Sequence, residues 1–249
     1  MDNLPIKLEK QPIIDGLFEI RFVSSSVVRL GSILPGLLFA SLEGEKSLAT
    51  LPLNQFPEQM RDSDQNLKYL PIHRMDWGKF YINIGDHAIS VGFKYPYPGW
   101  GDFKKAIMDV MMLVLKSGVI QTIDKYMIKA VNLISSDDIG EQVSFTNLNV
   151  KIANYALKEN FFSVQLEIPS GDFLHNIKLL SSATAKIHTN EEKHGLIIDI
   201  STISNVNALM TDVMDGLPLK LEDIHTSSKR MFFSCLTPET LDGLGPIYE

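Results

Sequence analysis

The chain has a single cysteine, Cys235, among its 249 residues. One cysteine cannot form an intrachain disulfide, and a zinc site built on several cysteines is excluded for the same reason. This cysteine usage is typical of proteins in a reducing compartment, so we predict a cytoplasmic location. The first thirteen residues, MDNLPIKLEKQPI, contain no long apolar run and therefore predict no signal peptide.

Long apolar runs and basic runs are also missing. The two most apolar stretches, residues 30–42 and 106–120, are too short to span a bilayer, so we expect no membrane association. No run of lysine or arginine exceeds two residues, and the formal net charge is −7. Binding to a nucleic acid requires a basic stripe that displaces counterions, and we therefore expect no nucleic-acid partner.

Motifs for catalysis, nucleotides and metals are absent as well. The sequence contains no phosphate-binding glycine loop, no dinucleotide fingerprint and no Gly-x-Ser-x-Gly nucleophile elbow. Its six histidines form neither a His-x-x-x-His nor a His-Glu-x-x-His pair, which a helical metal site would need. We predict no metal site and no cofactor.

The composition itself is that of an ordinary globular protein, with 45% hydrophobic and 21% charged residues. Alternation of apolar and polar residues predicts strands, and residues 162–168 show it most clearly. Residues 103–115 are apolar nearly all round, which predicts a helix buried on most sides. The predicted strands are 18–22, 69–75, 80–84, 89–95, 126–134, 162–168, 177–188 and 195–203, and the predicted helices are 27–42, 103–115, 148–157, 205–215 and 221–235.

The order strand, helix, three strands, helix occurs twice in this prediction. We therefore predict an α+β fold with two similar β-α-β-β-β-α halves, residues 1–120 and 121–249. In each half an antiparallel sheet would pack against a long helix. The two sheets could pair edge to edge into one continuous curved sheet, which would make the halves one integrated domain and protect the strand edges.

The most unusual segment is KYPYPGWGDFKK, residues 94–105, just before the long apolar helix. Its rings Tyr95, Tyr97 and Trp100 could form a platform on which a base, a sugar or a peptide stacks. Alternatively the segment is a structural corner, because its prolines stop the preceding strand and its glycines permit a turn. Both interpretations stay open, and Tyr97 and Trp100 are the ligand-binding candidates.

His225, within the predicted helix 221–235, is the candidate catalytic residue. Ser228 and Lys229 follow it at three and four residues and so lie on the same helix face. A general-base histidine needs an orienting carboxylate and a nearby nucleophile, whereas Asp223 points to another part of the helix. A lone helical histidine is also common as a packing or capping residue, so this alternative stays open too.

Three segments carry a resemblance that covers both ends and the middle of the chain. They are QPIIDGLFEIRF at residues 11–22, KAVN at residues 129–132, and LPLKLEDIHTSSKRMFFSCLTPETLDGLGPIY at residues 217–248. These segments resemble a conserved hypothetical protein family that is sporadically distributed in bacteria and archaea. The resemblance implies no activity, but the family's distribution implies a component of a defence or toxin-related system. Arg21 and Asn132, which lie within these segments, are the other ligand-binding candidates.

Three functional hypotheses result from these observations. The first is a non-catalytic, self-associating binding or assembly module, with a groove between sheet and helix that takes a small molecule or a peptide. Methionines near residues 108–112 and at Met210 and Met214 could fill such adaptable apolar grooves. The second is a hydrolase-like enzyme whose site gathers only in the fold around His225, with Asn132 and either Glu19 or Arg21. The third, from the resemblance, is the defence or toxin-related component.

Overall fold

Nine antiparallel strands form one sheet in the computed structural model, which describes residues 4–22, 30–152, 155–157, 160–187 and 192–248. All strands, in chain order, are β1 (Lys7–Leu8), β2 (Ile13–Phe22), β3 (Lys46–Thr50), β4 (His73–Trp77), β5 (Phe80–Ile84), β6 (Ala88–Phe93), β7 (Thr122–Ser135), β8 (Lys151–Ile152), β9 (Tyr155–Ala156), β10 (Ser163–Ser170), β11 (Phe173–Lys186), β12 (Glu192–Leu209) and β13 (Pro246–Ile247). The large sheet has the order β10-β11-β12-β7-β2-β6-β5-β4-β3. Two further pairs, β1 with β13 and β8 with β9, lie outside it.

The residues that the structure describes form seven α-helices, which connect or follow these strands. They are α1 (Leu30–Ser41), α2 (Glu58–Ser63), α3 (Trp100–Ser117), α4 (Ile139–Ser144), α5 (Met210–Asp215), α6 (Leu217–Cys235) and α7 (Pro238–Gly243), with a 3₁₀ turn at Pro52–Gln55. Within the described ranges, no helix combines the length and the apolarity needed to cross a membrane.

The pairing of β2 with β7 lies in the middle of the sheet. Phe18 is opposite Ile128, and Gly16 is opposite Ala130. Because side chains alternate between the two faces of a strand, Phe18, Ile128 and Ala130 share one face, together with Asn132 two residues further along β7. That face is covered by helices α1, α3 and α6.

The helix-covered face carries the hydrophobic core. One cluster packs β2, β5 and β6 against α1 and α3, and includes the fully buried Phe18, Leu34 and Ile107. A second cluster packs β11 and β12 against the end of α6, and includes Ile198 and Phe233. Each such side chain contributes roughly 1.5–3 kcal/mol when removed from water, so burial of this face is what holds the helices on the sheet.

The other face of the sheet is polar. Lys129 pairs with Asp199 across β7 and β12 at 3.0 Å, and Arg21 pairs with Glu19 at 2.7 Å. The alternation of apolar and polar residues in these strands therefore corresponds to one packed face and one face with ion pairs.

The predicted α+β class with a large antiparallel sheet is confirmed. The predicted strand 80–84 coincides with β5. Thr237 caps α7, since its side chain accepts a hydrogen bond from the Thr240 backbone N–H at 3.3 Å. The hairpin of β5 and β6 turns at Gly85–His87. There Asp86 accepts two hydrogen bonds from the buried Arg61, at 2.7 and 3.1 Å.

The predicted helix 148–157 is wrong, because its described residues include the strands β8 and β9. The helix in this region is α4, which begins after Asp138, whose carboxylate accepts a hydrogen bond from the Glu141 backbone N–H at 2.8 Å. A capping aspartate starts a helix more strongly than the valine, isoleucine and tyrosine of the following stretch.

The structure also differs from the prediction in the number of elements in the first half and in the end of β12. Strands β1 and β3 and helix α2 are not among the predicted elements, so the first half has two strands and one helix more than the β-α-β-β-β-α pattern. Residues 205–209, predicted as the start of a helix, continue β12, because Ala208 and Leu209 still pair with β7. Helix α1 contains Pro35 without a break between its ends, and residues 27–29 of the predicted helix lie outside the described residues.

A glycine-to-alanine pair tests the close packing on the polar face. A Cβ atom on Gly92 would lie 2.2 Å from Cζ of Tyr81. That ring is fixed by its hydroxyl, which donates to Asp15 at 3.1 Å, and by the Arg74 guanidinium 3.9 Å above it. We expect Gly92→Ala to lower the free energy of unfolding by about 1–3 kcal/mol in urea denaturation.

Gly101→Ala is the matched control. No atom lies within 4 Å of a Cβ at Gly101, which is in the first turn of α3. Alanine has a higher helix propensity than glycine, so this variant should be as stable as the wild type or up to about 1 kcal/mol more stable. Equal stability of the Gly92→Ala variant and the wild type would contradict the close packing.

Candidate functional site

A cavity of about 470 Å³ lies between β6, β7, α3 and α6, next to the N-terminal segment 5–13. Cavities that bind small molecules have volumes of roughly 300–1,000 Å³ and mainly apolar walls with a few polar groups. This cavity fits that description, since six aromatic side chains line it: Phe93, Tyr97, Trp100, Phe103, Phe232 and Phe233.

The segment 94–105 forms one wall of the cavity and also the corner between β6 and α3. Gly99, at φ +93°, occupies the position before the helix, a conformation that glycine adopts without strain. The Tyr97 ring packs on Phe93 with centroids 4.9 Å apart, and Trp100 contacts Phe103 edge-on at 6.1 Å. The structural corner and the aromatic surface are therefore one feature of the fold.

Trp100 and His225 form a parallel stack, with ring centroids 3.8 Å apart and an interplanar angle of 5°. The indole N–H donates to Glu222 at 2.9 Å, and the Lys104 ammonium donates to the other Glu222 oxygen. Burial acts to raise the pKa of Glu222, but these two hydrogen bonds outweigh it and hold the pKa below its usual value. Glu222 therefore stays ionised and fixes the indole plane.

His225 is uncharged near neutral pH. Burial and the nearby Lys229 ammonium lower its pKa to about 4, against the opposing effect of Glu222. None of the hydrogen bonds between described residues joins His225 to a carboxylate, so the orienting partner of a general base is missing there. The ring serves as a flat wall of the cavity.

The polar groups of the cavity are few. Asn132 is 5% exposed, and its amide N–H donates to the Ile198 carbonyl at 3.4 Å. Burial raises the pKa of Tyr97 to about 12, so its hydroxyl keeps its proton near neutral pH. Ser228 and Lys229 line the cavity beside His225, as their helical spacing predicts. Among the described residues that line the cavity, none is acidic.

Arg21 does not line this cavity but lies on the opposite, polar face of the sheet. There it borders a second cavity of about 260 Å³, together with Glu19, Tyr69 and Asn83. Its guanidinium lies 4.4 Å from the centroid of the Tyr69 ring. Burial raises the pKa of Glu19 even though Arg21 acts against this shift. Arg21 and Glu19 therefore belong to a different site from His225 and Asn132.

Sequence reasoning missed the N-terminal part of the cavity wall. Ile6 donates its backbone N–H to Ile247 at 2.8 Å, and Glu9 donates to Gly245 at 2.9 Å, so this segment is held by the C-terminus. The strands involved, β1 and β13, have two residues each and show no periodicity that a sequence pattern could reveal.

His175, which has no predicted role, makes two side-chain hydrogen bonds. Its Nδ1 lies 2.9 Å from the Thr202 hydroxyl, and its Nε2 lies 3.3 Å from the Ser227 hydroxyl on α6. The side chain is 1% exposed and does not line the main cavity. We interpret these bonds as an attachment of α6 to the sheet, because a buried polar side chain needs partners. Among the described residues, no group of three potential metal ligands comes together.

In comparisons with known proteins, no family model matches the chain and no curated protein is significantly similar to it. The family resemblance of the three sequence segments therefore stays a prediction. A function can therefore be inferred only from the geometry of the cavity.

The neutral His225 predicts a dependence of stability on pH. Its pKa is about 4 in the folded protein, against about 6.5 for an unperturbed histidine, so between these values the unfolded chain binds more protons. The free energy of unfolding should therefore fall as the pH decreases from about 6.5 to about 4, with about 3 kcal/mol as the upper limit for this residue.

His225→Phe keeps a ring on Trp100 and removes the titrating group. We expect a smaller loss of stability in this variant than in the wild type when urea denaturation is compared at about pH 7 and about pH 4.5. His194→Gln, at an exposed position, is the control and should retain the wild-type loss. Identical losses in all three proteins would show that His225 titrates normally.

Proposed function

We propose that the protein is a non-catalytic binding module that holds a small, mainly apolar molecule in the cavity between the sheet and helices α3 and α6. The observation that supports this most is the wall of aromatic rings around a space of about 470 Å³. Aromatic side chains supply large contact areas at a low cost in conformational entropy, and they are enriched in binding sites.

The packing of the rest of the molecule supports the same proposal. Protein interiors are close-packed, and the helix-covered face on either side of the cavity is filled by fully buried side chains such as Ile107 and Ile198. An apolar space of this size left in contact with water is unfavourable, and an apolar ligand would remove that contact.

We also propose that the two halves have a common arrangement. Within the large sheet, the first strands of the two halves are β2 and β7, which are neighbours at its centre. Each pairs with the last large-sheet strand of its own half, β6 or β12. A long helix, α3 or α6, comes after each of those last strands. In this arrangement the cavity lies where the two halves meet.

The other hypotheses have less support. A hydrolase-like enzyme at His225 would need a group that orients and charges the imidazole, and the described contacts around this ring supply a stacked indole instead. Self-association, a cytoplasmic location and a defence or toxin-related role stay predictions from the sequence.

A cavity-filling variant tests the binding function with Nile red, a neutral apolar dye. Ala130 lies on the cavity side of β7, and a leucine there would occupy part of the space. We expect saturable fluorescence enhancement of Nile red by the wild type and at least a tenfold weaker dissociation constant for Ala130→Leu, since the ligand and the new side chain would overlap.

Ala49→Leu is the control, because Ala49 is exposed on the edge strand β3. This variant should bind Nile red as the wild type does, and circular dichroism would verify that both variants are folded. Absence of saturable binding by the wild type, or equal binding by both variants, would refute the proposed site.

A further inference from the structure

Lys229 is a cation on the cavity wall for which no described residue provides a counterion. None of the ion pairs between described residues includes it. The side chain is half-buried, and burial lowers its pKa. Removing an ammonium group from water without a partner is unfavourable, so this position favours an anion beside it.

Neither of the two acidic residues of α6, Glu222 and Asp223, forms an ion pair with Lys229 among the described contacts. Glu222, two turns earlier on α6, accepts hydrogen bonds from Lys104 and Trp100 with its two oxygens. His225, one turn earlier, is neutral and cannot act as a counterion. Asp223 is exposed and does not line the cavity.

The charge of the cavity wall differs in sign from that of the whole chain. The formal net charge is −7, yet the charged residues that border the cavity are Lys7, Lys129 and Lys229. The ammonium of Lys129 pairs with Asp199 on the opposite face of the sheet, and Lys7 is exposed. Lys229 is therefore the half-buried charge that is available to a bound molecule.

We propose that the ligand of this cavity is an amphipathic organic anion, an inference that rests on the proposed function. Its apolar or aromatic body would lie among the phenylalanine rings, and Lys229 would bind one carboxylate-sized group. Tyr97 and Ser228 line the same space, and their hydroxyls are further candidate donors for that group. A single ammonium with hydroxyl donors matches one negative charge. Polyphosphates are instead recognised by several cations or by bidentate arginines, and the cavity wall has no arginine among its described residues.

Two matched pairs of probes test the anion preference. 2-Naphthoate and octanoate carry the carboxylate, whereas 2-naphthamide and octanamide have the same bodies without the charge. We expect the wild type to bind each carboxylate at least tenfold more tightly than its amide in calorimetric titrations, because only the carboxylate pairs with Lys229.

Lys229→Met keeps most of the side-chain length and removes the charge, so it should bind carboxylate and amide with equal affinity. Lys229→Arg keeps a positive charge and should retain a preference for the carboxylate. Lys105→Met, at an exposed position on α3, makes the same change in net charge and should retain the full preference. An equal preference in Lys105→Met and Lys229→Met would show that net charge rather than Lys229 selects the ligand, and would overturn the inference.

The outcomes separate this inference from the proposed function. If Nile red binds in an Ala130-dependent manner but neither carboxylate is preferred over its amide, the cavity is a binding site and the anion inference is wrong. If the wild type binds neither Nile red nor any of the four probes, the proposed function fails as well. The thermal unfolding midpoint of Lys229→Met should equal or exceed that of the wild type. A loss of carboxylate preference in this variant would then not be caused by unfolding.

Discussion

The pairing of β2 with β7 fixes the position and the orientation of the strands on either side of it. It joins the strands on both sides into one sheet and sets which side chains of the central strands face the helices. Because the side-chain period of a strand is two, a shift of one residue in this register would turn Ala130 and Asn132 to the polar face and Lys129 into the core. The burial of Phe18 and Ile128 on the same face opposes such a shift.

This pairing also determines where the cavity forms. Strands β6 and β12 flank the central pair, and the helices that come after them cross the same face of the sheet. The start of α3 and the middle of α6 therefore meet above the central strands. Trp100 and Glu222 are 122 residues apart in the chain and become hydrogen-bonded neighbours at this point. The stack of Trp100 on His225 is then a rigid wall held by Glu222 and Lys104.

Much of the fold could be predicted from the sequence, and less of the site. Strands such as β2 and β5 have one buried face, so apolar alternation reveals them, and the apolar residues 103–115 reveal α3. The segment 94–105 could be identified as a candidate site from the sequence, because aromatic residues, prolines and glycines rarely occur so close together. Strands β1 and β13 are too short to show a periodicity, and the cap of α4 is a single residue. The absence of a described counterion for Lys229 depends on the contacts of residues that are distant in the sequence. Local patterns carry no information on such contacts.

The most direct test of the proposed anion site in the cavity is a crystal structure of the protein with 2-naphthoate. We expect the carboxylate within about 2.7–3.2 Å of the Lys229 Nζ atom, and the naphthalene rings against Phe103 and Phe232. We also expect no displacement of Trp100 from His225. A naphthoate bound instead beside Arg21 on the polar face of the sheet, with the cavity between α3 and α6 unfilled, would contradict the proposed anion site.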